Sequence, residues 1–322
     1  MNGERNKILK SLKGYKSTLI FSLLSLALIS FGFIKPNDFH FNPYRANDIH
    51  ESSTSILFVG DMMLDRNVRN IINRDGFDKF FEGVKNILQD VDIAVGNLEG
   101  AFTNNPSITA DLKNKALQFT FDPKLSLELS DLGFDVLGLA NNHTYNYGRD
   151  GLESTRRYVG SAGMLYYGDP FNKDEISTVI VKNGIRIGIV GFHEFYYTNF
   201  NNVFIEIEKL RPNVDLVIVT PHWGDEYEKR PNERVVKWAH QFIDSGADIV
   251  IGAHSHVVGD TEVYKDKKIY YSLGNFAFDQ YFSKATMEGL VVRIDITKND
   301  NGIKTEFKDT LVTVDREGVR VK

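Results

Sequence analysis

Six short runs rich in valine, isoleucine and leucine each stop at a group able to bind a metal ion or a substrate. Residues 56–59 lead into Gly60-Asp61, residues 93–95 into Asn97-Leu98-Glu99, and residues 136–139 into Asn141-Asn142-His143. Residues 187–190 lead into His193-Glu194, residues 216–219 into His222-Trp223-Gly224-Asp225-Glu226, and residues 249–251 into His254-Ser255-His256. Apolar runs of this length, alternating with helical stretches, predict buried strands of an α/β fold. Ligands of such sheets gather beyond the carboxyl ends of the strands. Five of the eight histidines, at 143, 193, 222, 254 and 256, fall at those ends. Strands lying side by side would bring them to one rim.

The 322 residues suffice for one large core, or one core with a small appendage. Cysteine is absent, which excludes a disulfide framework, a cysteine zinc site, a thiol nucleophile and a lipid-modified cysteine. The net charge is −5, yet residues 1–16 carry Arg5, Lys7, Lys10, Lys13 and Lys16 against Glu4 alone. The remainder is therefore more acidic than the whole. A folded part of that charge argues against nucleic acid as a partner.

Lys16 is followed by 18 uncharged, mostly apolar residues, 17–34. That length is close to the roughly 20 residues needed to span a bilayer. The expectation is a single-pass signal anchor, with the basic flank 1–16 cytoplasmic and everything after Lys35 outside the membrane. A cleaved signal peptide is the competing reading. Ser30 and Gly32 are small, but no A-x-A pattern is present. Residues 35–54 are polar and aperiodic and read as a tether, with a globular domain expected over 55–322.

Within that domain the apolar spacing predicts helices over 77–89, 123–132, 151–162 and 232–245. Gly133 and Gly246 are placed to end the second and the fourth. A different texture surrounds Asn183-Gly184, where two β-rich runs joined by Asn-Gly predict a hairpin. The tail repeats it, with 290–296, Asn301-Gly302, 305–314 and 318–321. βα units and antiparallel pairs together call for two sheets packed face to face with helices outside.

The chemistry follows from the strand ends. Imidazole, carboxylate and amide oxygen together suit divalent ions such as zinc, manganese or iron. On an extended segment His254 and His256 would point to the same side and reach one ion or two adjacent ones. His222, Asn142, Glu99 and Asp61 offer further ligand atoms, and His143 can protonate a leaving group or stabilise an oxyanion. Asp65, His193 and Glu226 are near enough in sequence to assist. His240 falls inside the 232–245 helix and reads as a surface residue. There is no G-x-S-x-G elbow and no phosphate loop of the P-loop or dinucleotide type. Metal-assisted hydrolysis or transfer remains, in which bound ions polarise an ester or amide oxygen and supply hydroxide.

The same segments resemble the CapA/PgsA-type proteins of poly-γ-glutamate capsule biosynthesis, a branch of the calcineurin-like metallophosphoesterase superfamily. The resemblance rests on Gly60-Asp61-Met62-Met63-Leu64, Asn97-Leu98-Glu99, Ala140-Asn141-Asn142-His143, His222-Trp223-Gly224-Asp225-Glu226, Gly252-Ala253-His254-Ser255-His256 and Tyr271-Ser272-Leu273-Gly274-Asn275-Phe276, and covers residues 55–280. It implies an α-β-β-α sandwich. By motif position it implies Asp61, Asn142, His222, His254 and His256 as metal ligands and His143 as the catalytic imidazole, with Glu99 a further candidate ligand where the wider pattern departs. Asn97, His193, Glu226 and Asn275 stand as candidate supporting residues behind those ligands.

Two departures matter. Met63 stands where the wider pattern has a histidine, and Glu99 takes the place of its bridging aspartate. One ion or two stays open for that reason. The expected function is a membrane-anchored extracytoplasmic hydrolase or transferase on an anionic surface polymer, poly-γ-glutamate by resemblance, working beside membrane-bound synthase partners. The alternatives are a non-catalytic component of polymer assembly or export, and a metal-dependent phosphomonoesterase or nucleotidase.

Overall fold

All six apolar runs form strands, and they divide equally between two sheets. A computed structural model describes residues 51–196 and 199–322. In the first sheet β1 (Ser52–Met62), β2 (Ile93–Leu98), β5 (Val136–Gly138) and β6 (Leu165–Tyr167) run parallel in that order. A short pair, β3 (Ala101–Phe102) and β4 (Thr120–Phe121), lies apart. In the second sheet β8 (Ile185–His193), β9 (Leu216–His222), β10 (Ile249–Ile251) and β12 (Lys267–Tyr270) are parallel. Antiparallel strands finish that sheet at both edges: β7 (Ser177–Lys182) beside β8, and β11 (Thr261–Tyr264) beside β12. The first sheet continues past β1 through an antiparallel meander of β14 (Glu288–Asn299), β15 (Gly302–Asp315) and β16 (Gly318–Val321). β13 (Asn275–Ala277) pairs with the end of β1.

The period-2 geometry of a strand assigns each run to two cores. Ile56, Phe58, Val95 and Val136 pack against Ile187, Ile189, Ile218 and Ile251 between the sheets. Their neighbours Leu57, Val59, Ala94 and Leu137 face the other way, onto helical residues such as Val68, Leu88, Leu129 and Val159. On the second sheet Val190, Val217, Val219 and Val250 meet Val203, Ile207, Ala239 and Phe242. Burial on both faces is why these runs are continuous rather than alternating. The result is two sheets face to face with helices on both outer surfaces.

The helices follow the expected spacing with instructive exceptions. Leu125–Leu132 ends at Gly133, whose φ is 121°. Glu233–Asp244 is capped by Asn232, which accepts the Val235 N–H. The 77–89 expectation was for one helix, but two short ones form, Phe77–Phe81 and Lys85–Gln89. Gly83 bridges Arg320, and a side chain there would meet Arg320 and Val319. Tertiary pairing with β16 thus interrupts the helical period. Two further helices, Arg66–Asp75 and Asn201–Leu210, were not foreseen.

The Asn183-Gly184 hairpin forms, with both residues at positive φ. In the tail the turn sits one residue earlier than expected, on Asp300-Asn301, because Asn299 pairs with Gly302. β1 begins at Ser52, three residues ahead of the expected domain start. The apolar segment 17–34 and most of the expected tether lie outside the described residues. Among the described residues no helix is long and apolar enough to cross a membrane.

The strand ends demand close backbone approach. A Cβ on Gly60 would lie 1.9 Å from the Gly274 carbonyl oxygen. Gly60→Ala is therefore expected to lower stability by about 2 kcal/mol or more. Gly160→Ala, on a helical position where a methyl meets nothing, gains up to about 1 kcal/mol. Urea unfolding of the two variants checks both signs.

Candidate metal centre

The carboxyl ends of β1, β2 and β5 and those of β8, β9 and β10 open onto one rim, where the two sheets meet. Cross-sheet bonds show the convergence. Asn97, at the end of β2, gives its Nδ2 to Asp61 Oδ1 at 2.7 Å and sits 3.3 Å from Nδ1 of His222 on β9. The backbone N–H of His254 donates to Asp61 Oδ2 at 3.2 Å.

Glu99 is the hub. Its carboxylate is fully buried, and neither oxygen has a hydrogen-bond partner among the described residues. Oε1 lies 3.7 Å from His143 Nε2, 3.9 Å from His256 Nε2 and 4.0 Å from His222 Nε2. These gaps are too long for hydrogen bonds. Two ligands at roughly 2 Å from one ion stand no more than about 4 Å apart, so these gaps leave room for a cation beside Oε1. Asp61, Glu99 and His256 each offer a ligand atom, all within 4.8 Å of one another.

A second group adjoins the first. His222 Nε2 lies 2.9 Å from Asn142 Oδ1 and 3.1 Å from His254 Nδ1. An amide oxygen and two ring nitrogens converge there, each ring nitrogen carrying a lone pair or a proton according to its tautomer. The two groups share Glu99, so the donor set fits a divalent ion well. Unsatisfied buried carboxylate oxygens and convergent lone pairs both call for a cation.

The His254-Ser255-His256 segment corrects an expectation. It is a bend rather than an extended stretch, with His254 at φ 95° and His256 at φ 57°. The two rings stand 5.9 Å apart and turn to different partners. His254 faces His222, whereas His256 Nδ1 faces Asp61 Oδ2 at 3.2 Å and Asn275 Oδ1 at 3.0 Å. Strained φ values of this kind persist only where surrounding contacts over-determine them.

Proton affinities follow from burial. Desolvation lowers His143 and His193 to about 4 and His254 to about 2, and holds His222 well below its ordinary value. These four are neutral and available as ligands or proton acceptors. Burial would also lower His256, but the charges of Glu99 and Asp61 outweigh it and raise His256 to about 9. Burial, then the Asp61 charge, pushes Glu99 well above the carboxylate range. The Asp61–Glu99–His256 group therefore retains a proton at neutral pH, a position a metal cation would take.

Supporting residues divide less tidily. Asn275 orients His256 and is itself held by Gln280 and the Thr286 carbonyl. His193 lies behind His222, with Nδ1 on the Pro170 carbonyl at 2.8 Å. Glu226 stays on an exposed loop and reaches the cluster only through its charge, which acts on Glu99 and His256. Asp65 does not assist. Its carboxylate is consumed by Arg69, Ser107, Thr109 and the Thr120 N–H, and fastens the 103–120 loop. His240 stacks on Tyr264 and pairs with Glu262, away from the rim.

Among the other working residues, Asn141 and Glu194 stand at the strand ends without an assigned role, and Asn146 and Tyr196 gave no signal in the sequence. Asn141 donates to Asn97 Oδ1 and the Leu98 carbonyl, while its own oxygen accepts the His143 and Thr144 N–H groups. Asn146 Oδ1 lies 3.1 Å from His143 Nδ1, which leaves Nε2 facing Glu99. Tyr196 donates to the Asn142 carbonyl. Glu194 accepts the Gly224 N–H at 2.7 Å and pairs with Arg234, fixing the turn after His222.

A two-sheet α/β sandwich with a buried carboxylate–imidazole cluster at its strand ends defines the class of protein. The chain belongs to the family described as Bacterial capsule synthesis protein PGA_cap, which matches residues 55–280. It is 32% identical over 274 residues to the capsule biosynthesis protein CapA of Bacillus anthracis, covering 77% of this chain and 65% of that one. It is 33% identical over 267 residues to the PGA biosynthesis protein CapA of Bacillus subtilis (strain 168), covering 77% and 69%. The chain thus spans about two thirds of the length of these relatives. Among solved structures it is similar to a hypothetical protein from Thermus thermophilus, at 15% identity and a TM-score of 0.48, over 79% of this chain and 99% of that one.

The depressed imidazoles predict a pH response of the metal-free protein. Below the unfolded histidine value near 6.5 the unfolded chain binds protons that His143, His193, His222 and His254 refuse when folded. Within the cluster Glu99 opposes them, one group against four, and elsewhere raised carboxylates such as Asp135 and Asp279 are offset by lowered ones such as Asp92 and Asp315. Stability is therefore expected to fall as pH drops from about 6.5 toward 4. Urea midpoints in the presence of a chelator, taken across that window, check the direction. A flat profile contradicts it.

Proposed function

We propose that the protein acts outside the cell membrane in the biosynthesis of a capsule of the poly-γ-glutamate type, as a metal-dependent hydrolase or transferase on the anionic polymer. The observation that carries this reading is the Glu99 carboxylate, buried without a partner among three imidazole nitrogens at 3.7–4.0 Å. Family membership supports the polymer. The names of the Bacillus relatives point to capsule and PGA biosynthesis. The 17–34 segment supports an N-terminal anchor, with synthase partners in the same membrane.

In this reading Asp61, Glu99 and His256 hold one ion. Asn142, His222 and His254, with Glu99 shared, offer the position for another. A bound divalent ion would polarise the scissile carbonyl and lower the pKa of a water molecule. His143 is the proton carrier. Its Nδ1 is fixed by Asn146, its ring packs 4.4 Å from Phe119, and Nε2 faces the cluster. A neutral imidazole of low proton affinity can accept a proton and quickly surrender it to a leaving amine.

One observation favours the non-catalytic reading. Met63, at the position of a second imidazole in the wider superfamily pattern, is fully buried in the outer core, and its sulfur accepts the Asp65 N–H. The Asp61 side is therefore one ligand poorer, and a protein that binds polymer without cleaving it would tolerate that loss.

Metal content and turnover separate the two readings. Glu99→Gln and His256→Ala are each expected to lose bound metal at least tenfold, read by mass spectrometry. His143→Asn is expected to keep metal and lose turnover of γ-linked glutamate polymer by about 100-fold or more. Full metal occupancy with no turnover in the unaltered protein would leave the assembly role standing alone.

A further inference from the structure

A groove of about 600 Å³ is lined by three cations, Arg66, Lys115 and Arg316, and by the exposed side chains of Leu117 and Phe282. The one carboxylate in its wall, Asp279, is already paired with Arg66 at 3.2 Å. Lys115 donates only to the Leu112 carbonyl of its own loop, and Arg316 lies over the Tyr281 ring. Neither forms an ion pair among the described residues. A cationic groove of this kind stands out on a chain whose net charge is −5.

The groove reaches the cluster through two aromatic contacts. The Arg66 guanidinium is 5.9 Å from the Phe119 ring, and Phe119 lies 4.4 Å from His143. On the opposite flank Phe282 is 5.3 Å from Tyr227, whose ring is 6.2 Å from His256. One line of contacts thus ends at His143 and the other at His256. A small anionic substrate would need only the cluster itself. A groove that presents both several cations and exposed apolar side chains fits a strand whose repeat carries one carboxylate and an aliphatic spacer.

We infer that the Arg66–Lys115–Arg316 groove is the subsite that holds a carboxylate-bearing polymer strand as it leads into the cluster. This rests on the polymer reading above and adds where the strand lies and which residues grip it. Arg66 anchors the inner end and is fixed by Asp279. Lys115 and Arg316 take successive carboxylates farther out. Leu117 and Phe282 contact the methylene segments.

The test uses the full-length protein and fluorescent oligomers of two carboxylate polymers, γ-linked glutamate and a polyuronate, followed by anisotropy. The Lys115→Glu/Arg316→Glu double variant is expected to weaken oligomer binding roughly tenfold or more. Its metal content should be unchanged. Lys115→Ala/Arg316→Ala should move in the same direction by less, and affinity of the unaltered protein should fall with added salt. Both side chains are exposed, so neither variant threatens the fold. Binding left intact by the charge reversal overturns the groove, while metal-dependent turnover of polymer by the unaltered protein would still uphold the function proposed above. Groove-dependent binding of the polyuronate alone upholds the groove and overturns poly-γ-glutamate as the substrate. Absence of binding to either oligomer overturns the groove.

Discussion

A carboxylate sealed from water and left without a donor is among the costliest groups a folded protein can hold. Glu99 is such a group, and much of the rim can be understood as the arrangement that makes it tolerable. Three imidazoles face one of its oxygens, Asp61 stands nearby, and His256 holds a proton against the pull of burial. Among the described residues no hydrogen-bond donor reaches it. A hydrophobic side chain of similar size would cost less if packing were the only purpose. The carboxylate makes sense as half of an interaction whose other half is a cation.

Bringing that set together constrains the backbone more than any single contact does. Donors from both sheets must meet at one end, so the apolar strands on either side run to the same rim. The final turn into the site cannot be an extended strand, because His254 and His256 serve different partners. Their left-handed φ values and the tight approach of Gly60 to Gly274 are the local cost of that geometry. Asn141 and Asn97 then act as a brace. Each bonds across to a neighbouring strand end, and between them they tie Asp61, the Leu98 carbonyl and the turn that carries His143.

These same constraints explain what could be read from the chain before its structure. The six runs were legible because strands buried on both faces are continuously apolar, and because a polar group at the end of such a run has few other reasons to be there. Their partition between two sheets was legible only as a need to house both βα units and hairpins, since register and sheet membership depend on contacts far apart in sequence. The split of 77–89 was hidden because Gly83 breaks the helix for the sake of Arg320 on another element. Asp65 looked like a site residue because its surroundings in sequence are those of a strand end. Only the fold shows that a loop around Thr109 and Thr120 claims its oxygens. Asn146 and Tyr196 carry no motif, and their roles arise from where their turns land.

The cluster is asymmetric in charge. On one side Asp61 and Glu99 concentrate negative charge around a single imidazole. On the other, Asn142, His222 and His254 present neutral donors. The side with two carboxylates compensates in charge for the imidazole that Met63 does not supply, since electrostatic attraction grows as the ligands exclude water. The neutral side gains selectivity instead, because imidazole prefers transition ions over magnesium or calcium. A site built this way would bind its two positions with unequal strength. The cationic groove completes the balance. In the proposed reading it would hold a polyanion by charges placed beyond the cluster, so that carboxylates holding an ion would not also have to tolerate the substrate's charge unaided.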